Sequence, residues 1–386
     1  MDAQRLFPQR RNVQGRCLLS SSVCRRVPER HLLSYVSPGS AYTVPGSAWV
    51  TGKFSPLDDS ILFLGGDTGR VGIMDVTDSS KPSAMLHNWN GHTGVVMDIV
   101  GVPSERGKVL TLSGYDVRIW HVNSQPRKSD LFKGHNSSLR CAAFVPNDPH
   151  IFCTGGRDGR VVFWDRRLVM NRRNGIEFRM PKEEFKNVHL KPGPILSSTP
   201  GTPSMSLGRK AGRTFTKPAP SITCMAFVDD NLLLTGSSDC RSGIRLWDRR
   251  KMTQPLLAYT LPTRTHRETG IASISLDRFH SSLFAASTDN SIYELAIGSK
   301  QLNHVRSYEG AQLAGDYYTQ VACSPVSDHV LCGSNDGRAL VWDVQAYHSY
   351  MDSPIVRSPL DSSIRPSFSL GGHGSKVATV GWSCKG

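Results

Sequence analysis

The sequence predicts an all-β fold, a propeller of repeated four-stranded blades, nominally seven-bladed with the last blade incomplete. Three observations carry this. Short apolar strands ending in Trp recur as Val117-Arg118-Ile119-Trp120, Val161-Val162-Phe163-Trp164, Ile244-Arg245-Leu246-Trp247 and Ala339-Leu340-Val341-Trp342. With Met74 and Leu295 in the same slot, the spacings are 46, 44, 83, 48 and 47 residues, and all but one lie near the roughly 40–45 residue period of propeller blades. Composition agrees, because 35 Gly and 23 Pro in 386 residues favour many short elements and turns over long helices.

Each unit has an internal order. A Gly-His opens it at Gly91-His92, Gly134-His135 and Gly372-His373. An alternating strand follows, such as Leu139 to Val145, then a second strand running into an Asp/Gly turn, as in Ile151-Phe152-Cys153-Thr154-Gly155-Gly156-Arg157-Asp158-Gly159. The Trp strand comes next. Period-two patterning between turn signals is the mark of short strands. The set His92, Asp116, Trp120, His135, Asp158, Trp164, Asp336 and Trp342 resembles the structural hydrogen-bond set of the WD-repeat family, in which His and Asp tie loop ends to the Trp strand. Buried polar groups need partners, and these have them within their own blade. A catalytic His–Asp pair is therefore the weaker reading. The Gly155–Gly159 turn lacks the Gly-Lys-Ser/Thr and following helix of a phosphate loop, so no enzyme activity and no cofactor are expected.

Charge divides the chain. Residues 1–30 carry seven Arg against Asp2 and Glu29, and residues 166–217 carry twelve Lys and Arg against three Glu. These two segments hold the whole net charge of +14, which leaves a neutral body and argues against sequence-specific nucleic-acid binding. The expected organisation is a basic, mostly disordered segment over 1–45, a propeller over 46–386, and a basic low-complexity insert at 168–217. The Arg-rich start could pass for a transit peptide, but a disordered tail is the simpler reading. No stretch approaches eighteen consecutive apolar residues and no heptads persist, so neither a membrane helix nor a coiled coil is expected. The nine Cys form no C-x-x-C pair and no zinc-ligand spacing, which predicts no metal and a reducing, intracellular setting.

Six blades close near Asp75, Trp120, Trp164, Trp247, Leu295 and Trp342. A seventh contributes one strand, Lys376 to Trp382. Closure would need further strands, from the segment His31 to Val44 or from a longer chain, and an open ring would leave sheet edges unpaired. In the insert, Ser198-Thr199-Pro200 and Gly201-Thr202-Pro203 suggest proline-directed phosphorylation at Thr199 and Thr202, which would cut the positive charge of a stretch that could serve nuclear import. That loop is expected to follow a short closing strand for blade 3 and to emerge opposite the paired Arg residues described next.

Blades 3 and 4 carry more specific signals. Ile151–Gly159 closed by Phe163-Trp164-Asp165-Arg166-Arg167 resembles the third blade of the denticleless family, and the next blade similarly follows a long basic insert and ends in Trp247-Asp248-Arg249-Arg250. The resemblance covers about residues 46–386. It implies a substrate receptor of cullin-4 RING ubiquitin ligases in the nucleus, not an enzyme. Its propeller would bridge the ligase's adaptor, damage-specific DNA-binding protein 1, to PCNA-bound substrates for degradation in S phase and after DNA damage. Family members carry a long tail with a clamp-binding motif after the propeller, which these 386 residues do not include. The adaptor-binding set is Trp164, Asp165, Arg167, Trp247, Asp248 and Arg250. Arg167 and Arg250 each follow Trp-Asp by two residues in neighbouring blades, and a guanidinium fork suits bidentate, charge-assisted bonds. The alternative is a generic WD-repeat scaffold of another nuclear complex, for which Arg after Trp-Asp is only a solvated residue.

Overall fold

The computed structural model describes residues 48–76, 84–124, 127–190, 219–261, 269–299, 301–344, 363–371 and 373–382. The expected tail over 1–45, the candidate closing segment His31 to Val44, and Thr199 and Thr202 lie outside these residues. The described strands form six meandering sheets, each following chain order. Blade 1 holds β1 (Trp49–Ser55), β2 (Asp58–Gly66), β3 (Arg70–Asp75) and β4 (Ala84–Asn90). Blade 2 holds β5 (Val96–Gly101), β6 (Lys108–Ser113), β7 (Asp116–His121) and β8 (Lys128–Phe132). Blade 3 is β9 (Leu139–Val145), β10 (Asp148–Gly156), β11 (Val161–Asp165) and β14 (Glu183–Phe185), with a hairpin of β12 (Asn171–Arg173) and β13 (Ile176–Phe178) before its last strand. Blade 4 is β15 (Ile222–Phe227), β16 (Leu232–Ser237), β17 (Ile244–Asp248) and β18 (Leu257–Tyr259). Blade 5 is β19 (Ile271–Leu276), β20 (Ser282–Ser287), β21 (Ser291–Ile297) and β22 (Leu302–Glu309), and blade 6 is β23 (Val321–Cys323), β24 (His329–Gly333), β25 (Ala339–Asp343) and β27 (Phe368–Leu370). The short β26 (Ser363–Ile364) runs parallel to β22 at the rim of blade 5.

The third strands are the most buried where neighbouring blades cover both faces, as in β11; β7 instead alternates, with Arg118 half-buried. All five residues of β11, Val-Val-Phe-Trp-Asp, are buried, which is why such a strand reads as a continuous apolar run rather than as alternation. The tryptophans pack backwards around the ring. Trp164 joins Leu112, Ile119 and Phe132 of blade 2, Trp247 joins Val161 and Phe163 of blade 3, and Trp342 joins Phe284 and Tyr308 of blade 5. The tight turn into β11 needs Gly159 at φ +67, where a Cβ would also meet Ala219 Cβ at 2.7 Å.

The ring closes without a seventh four-stranded blade among the described residues. Residues 375–382 lie extended between blades 6 and 1. Gln320 N–H donates to Ala378 O (2.9 Å) and Val377 N–H to Ser334 O (3.0 Å) on the blade 6 side. On the other side Thr379 Oγ1 accepts Gly52 N–H at 3.2 Å, and its own proton can go to Gln320 Oε1 (2.8 Å) or Gly52 O (3.1 Å). Trp382 Nε1–H reaches Ala322 O at 3.1 Å. The predicted strand Lys376 to Trp382 is thus a wedge held to blade 6 by backbone and side-chain bonds and to blade 1 through Thr379. Thr379→Val strips a half-buried amide and carbonyl of their shared hydroxyl and should cost about 1 kcal/mol. A lowered thermal midpoint checks this, and an unchanged one would mean that the wedge does not hold the ring.

The 168–217 insert supplies the expected short closing strand for blade 3 and differs from expectation in the hairpin before it. Residues 168–190 are ordered: β14 pairs with β11, and β12 pairs with β13 around Asn174-Gly175, both at positive φ. The hairpin then covers the open edge of blade 2, where Arg179 N–H donates to Leu131 O (2.8 Å) and Lys133 N–H to Arg179 O (3.1 Å). Composition hid this, because the stabilising partners belong to another blade. The remaining stretch, 191–218, lies outside the described residues. Its two flanks meet near Gly159, at the end of blade 3 opposite Arg167: Val188 N–H bonds Gly159 O, and Ala219 abuts Gly159.

Candidate functional site

The polar groups nearest the tryptophans are structural. In blade 3, His135 Nδ1 meets Asp158 Oδ2 at 3.0 Å, its Nε2 meets Thr154 Oγ1 at 2.8 Å, and Trp164 Nε1–H donates to the same hydroxyl at 2.8 Å. Burial tends to raise the Asp158 pKa, but the His135 hydrogen bond and charge and the Asn136 and Arg160 amides outweigh it and hold it low. Blade 2 repeats the core of this with His92, Thr111 and Trp120 (2.7 and 2.9 Å). Asp116 does not join them; its carboxylate faces Arg118 at 3.6 Å. In blade 6 the expected pair also separates. Asp336 accepts from Arg338 Nε at 2.8 Å, while the buried Trp342 Nε1 has no acceptor among the described residues. Cys332 stands opposite Leu340 in the register that Thr154 holds opposite Val162, so the bridging hydroxyl is missing there.

Blade 4 contains a member that the sequence reading missed. His189 is fully buried; its Nε2 meets Thr235 Oγ1 at 2.8 Å, and Trp247 Nε1–H donates to that hydroxyl at 2.9 Å. His189 sits in Val188-His189-Leu190 without the Gly-His signature, inside a segment read as low complexity. The recurrent Thr nine to twelve residues before each Trp (Thr111, Thr154, Thr235) was the available signal. Burial, then the Arg245 charge, pushes the His189 pKa down to about 3 from 6.5, against a small opposing effect of Ser242 O. A histidine with a depressed folded pKa binds its proton more readily when unfolded, so stability falls as pH drops below 6.5 and goes on falling toward 3. At pH 5 the penalty should be about 2 kcal/mol. Denaturant titrations at pH 7 and pH 5 check this: His189→Gln should lessen the pH dependence, a further part of which comes from His92, whose pKa burial also lowers, to about 4, and an unaltered slope would refute the assignment.

The paired Arg residues lie at the opposite ends of these strands, where β11 and β17 exit. Arg167 Nε and Nη2 donate to Asp165 Oδ1 and Oδ2 at 2.9 and 2.8 Å. Arg250 repeats the fork on Asp248 at 2.9 and 2.7 Å. In each case the Asp also accepts the backbone N–H of its Arg at 3.0 Å, which closes the turn. The Arg167 bond holds the Asp165 pKa down at about 2, and Arg250 likewise lowers that of Asp248. Both Arg side chains remain accessible, 56% and 64% exposed. Exposed ion pairs contribute only about 0–1 kcal/mol, so the effect of the forks is to fix two long side chains in one orientation.

The two exits share one face. Asn147, in the first turn of blade 3, bonds Asp230 in the first turn of blade 4 through N–H and Nδ2 at 3.0 Å each. Arg167 approaches Asp148 at 3.9 Å, and Asp229 lies close enough to raise the Arg250 pKa after the larger effect of Asp248. Arg166 points inward instead, pairing with Glu105 of blade 2 and donating to Pro149 O at 3.0 Å. Of the six residues expected to touch an adaptor, Trp164 and Trp247 are buried and reach no partner. Asp165 is buried and Asp248 half-buried. Their place is behind Arg167 and Arg250. Among the described residues no group of three or more His, Cys, Asp or Glu could hold a metal, and no helix is long and apolar enough to cross a membrane.

Residues 125–165 and 303–343 match the WD domain, G-beta repeat family. A chain in the crystal structure of the Mitotic Checkpoint Complex shares the fold, with a TM-score of 0.56 at 18% identity over 79% of this chain and 77% of that one. With the six blades and the His–Thr–Trp sets, these define a WD-repeat β-propeller. Within that class the chain is similar to the denticleless proteins. It is 29% identical to the Danio rerio Denticleless protein homolog over 98% of this chain and 53% of the relative. The Homo sapiens homolog is 26% identical over 85% of this chain and 42% of the relative, and Drosophila melanogaster Protein lethal(2)denticleless 29% over 86% and 41%. The chain thus spans about half the length, or less, of these relatives.

Proposed function

We propose that this propeller is the substrate-recognition subunit of a cullin-4 RING ubiquitin ligase in the nucleus, docking on the propeller adaptor, damage-specific DNA-binding protein 1, through Arg167 and Arg250. The observation that carries the reading is the identical fork geometry of two exposed Arg side chains on one face of adjacent blades. Each Asp consumes Nε and one proton of Nη2, which leaves Nη1 and the second Nη2 proton pointing outward. Holding the guanidinium in advance reduces the side-chain entropy lost on binding, and Arg is enriched among interface hot spots. The likeness to denticleless proteins supports the same reading, with PCNA-bound degron substrates as the cargo. The chain acts by bridging, and ubiquitin transfer in S phase and after DNA damage is the work of its partners.

One observation favours the generic scaffold reading: both forks are already satisfied within the chain, as they would be for solvated residues with no partner. Affinity purification of the tagged chain from nuclear extract, followed by mass spectrometry, separates the two. The receptor reading expects the adaptor and cullin-4 among the recovered proteins. Recovery of a different nuclear complex without either would favour the scaffold.

A further inference from the structure

The inner strands of all six blades and Val380–Trp382 line a central channel of about 410 Å³, within the roughly 300–1,000 Å³ range of ligand sites. At the end where the inner strands begin, the loop between β22 and β23 crosses the mouth. Tyr317 O–H donates to Ser238 O of blade 4 at 3.0 Å, and the Tyr318 ring lies 4.8 Å from the Arg140 guanidinium of blade 3. Buried Asp316 fixes this bar by accepting Tyr318 N–H (2.8 Å), the Thr319 hydroxyl (3.0 Å) and Lys376 Nζ (3.1 Å).

Three charged residues line the channel: Lys53, Asp98 and Arg140. Lys53 Nζ is held on Asp98 Oδ1 at 2.7 Å, and the other Asp98 oxygen accepts Ala142 N–H at 2.9 Å. Lys376, whose Nζ sits 5.2 Å from the Tyr318 ring centre, is taken by Asp316. Arg140 alone among these cations has no carboxylate among the described residues. Its Nη1 is shielded from solvent without an acceptor. A half-buried guanidinium 4.8 Å from a ring centre, with no carboxylate partner among the described residues, is a binding group left incomplete.

We propose that the channel mouth binds an extended peptide by one Asp or Glu side chain, whose carboxylate takes the Arg140 fork while the peptide lies against the Tyr317–Tyr318 bar. The charge count selects a carboxylate. One uncommitted cation balances a monoanion, whereas a phosphate carrying about −1.5 to −2 charge would need a second, and both nearby Lys residues are engaged. The proposal stands apart from the ligase reading. β9 and β11 run parallel within blade 3, so Arg140 at the start of one and Arg167 at the end of the other mark opposite faces.

Selection of a randomised peptide library on the purified full chain should enrich Glu or Asp at one position. A selected peptide, labelled and measured by fluorescence anisotropy, should bind at least about tenfold more tightly with Glu there than with Gln, as expected for a charge-assisted pair of about 1.5–3 kcal/mol. Arg140→Gln, verified to melt as wild type, should erase the Glu–Gln difference. Tyr318→Leu should weaken both peptides severalfold and leave the difference in place. If Arg140→Gln does not fold, Arg140→Lys serves instead, and the difference should shrink by at least about threefold as the fork is lost. Arg167→Ala/Arg250→Ala should bind the peptide as wild type does, which distinguishes this site from the adaptor face. The proposal is overturned if no acidic position is selected, if the Glu–Gln difference survives in Arg140→Gln, or if phosphoserine binds more tightly than Glu.

Discussion

Trp164→Phe is expected to destabilise the propeller by about 1–3 kcal/mol more than Trp342→Phe, although both indoles are fully buried. Trp164 Nε1–H donates to Thr154 Oγ1, which also holds His135, so losing the indole donor unsettles a buried chain that runs to Asp158. Trp342 Nε1 has no acceptor among the described residues, so Phe there removes volume and no hydrogen bond. Truncation goes further. Trp164→Ala also removes the packing against Phe132 and Phe152, whose ring centres lie 5.7 and 6.2 Å away, and should cost about 3–5 kcal/mol. That is a large part of the roughly 5–15 kcal/mol stability of a typical domain. Guanidinium titrations followed by far-ultraviolet circular dichroism measure all three. Equal losses for the two Phe variants would mean that the Thr-centred sets contribute nothing beyond volume.

The blade plan was legible because three physical requirements write themselves into local sequence. Strands covered on both faces must be mostly apolar, tight turns need Asp and Gly, and a repeated unit keeps a constant period. Trp120, Trp164, Trp247 and Trp342 therefore marked four third strands before any coordinates. What was not legible depended on partners distant in the chain. His189 sits 58 residues before Trp247, beyond the length of a regular repeat. The β12–β13 hairpin is polar by composition and is ordered by the edge of blade 2. The wedge at 375–382 resembles an ordinary inner strand in sequence, and the groups that hold it, on Gln320 and Ser334 of blade 6 and Gly52 of blade 1, are distant in the chain. Of the adaptor set, sequence placed Arg167 and Arg250 at strand exits. It could not separate those two exposed side chains from the buried Trp residues beneath them, since burial is a property of the ring.

In the proposed function, two pre-oriented Arg side chains on one face hold the adaptor. Truncating a hot-spot Arg costs roughly 2 kcal/mol or more, so Arg167→Ala or Arg250→Ala alone should weaken binding about thirtyfold or more. The two residues occupy one interface, so the double loss need not be additive. Arg166→Ala is an unsuitable control because it opens the Glu105 pair between blades 2 and 3. Arg338→Ala is a better one, because that residue makes an exposed Arg–Asp pair two residues apart, with Nε and Nη2 both on Oδ2 of Asp336 in blade 6, away from the paired exits. The deciding measurement is the dissociation constant between purified chain and purified damage-specific DNA-binding protein 1, by biolayer interferometry, for wild type, Arg338→Ala and Arg167→Ala/Arg250→Ala, each shown to melt cooperatively. The predicted result is wild-type affinity for Arg338→Ala and no measurable binding for the double variant. Wild-type affinity in the folded double variant would contradict the account.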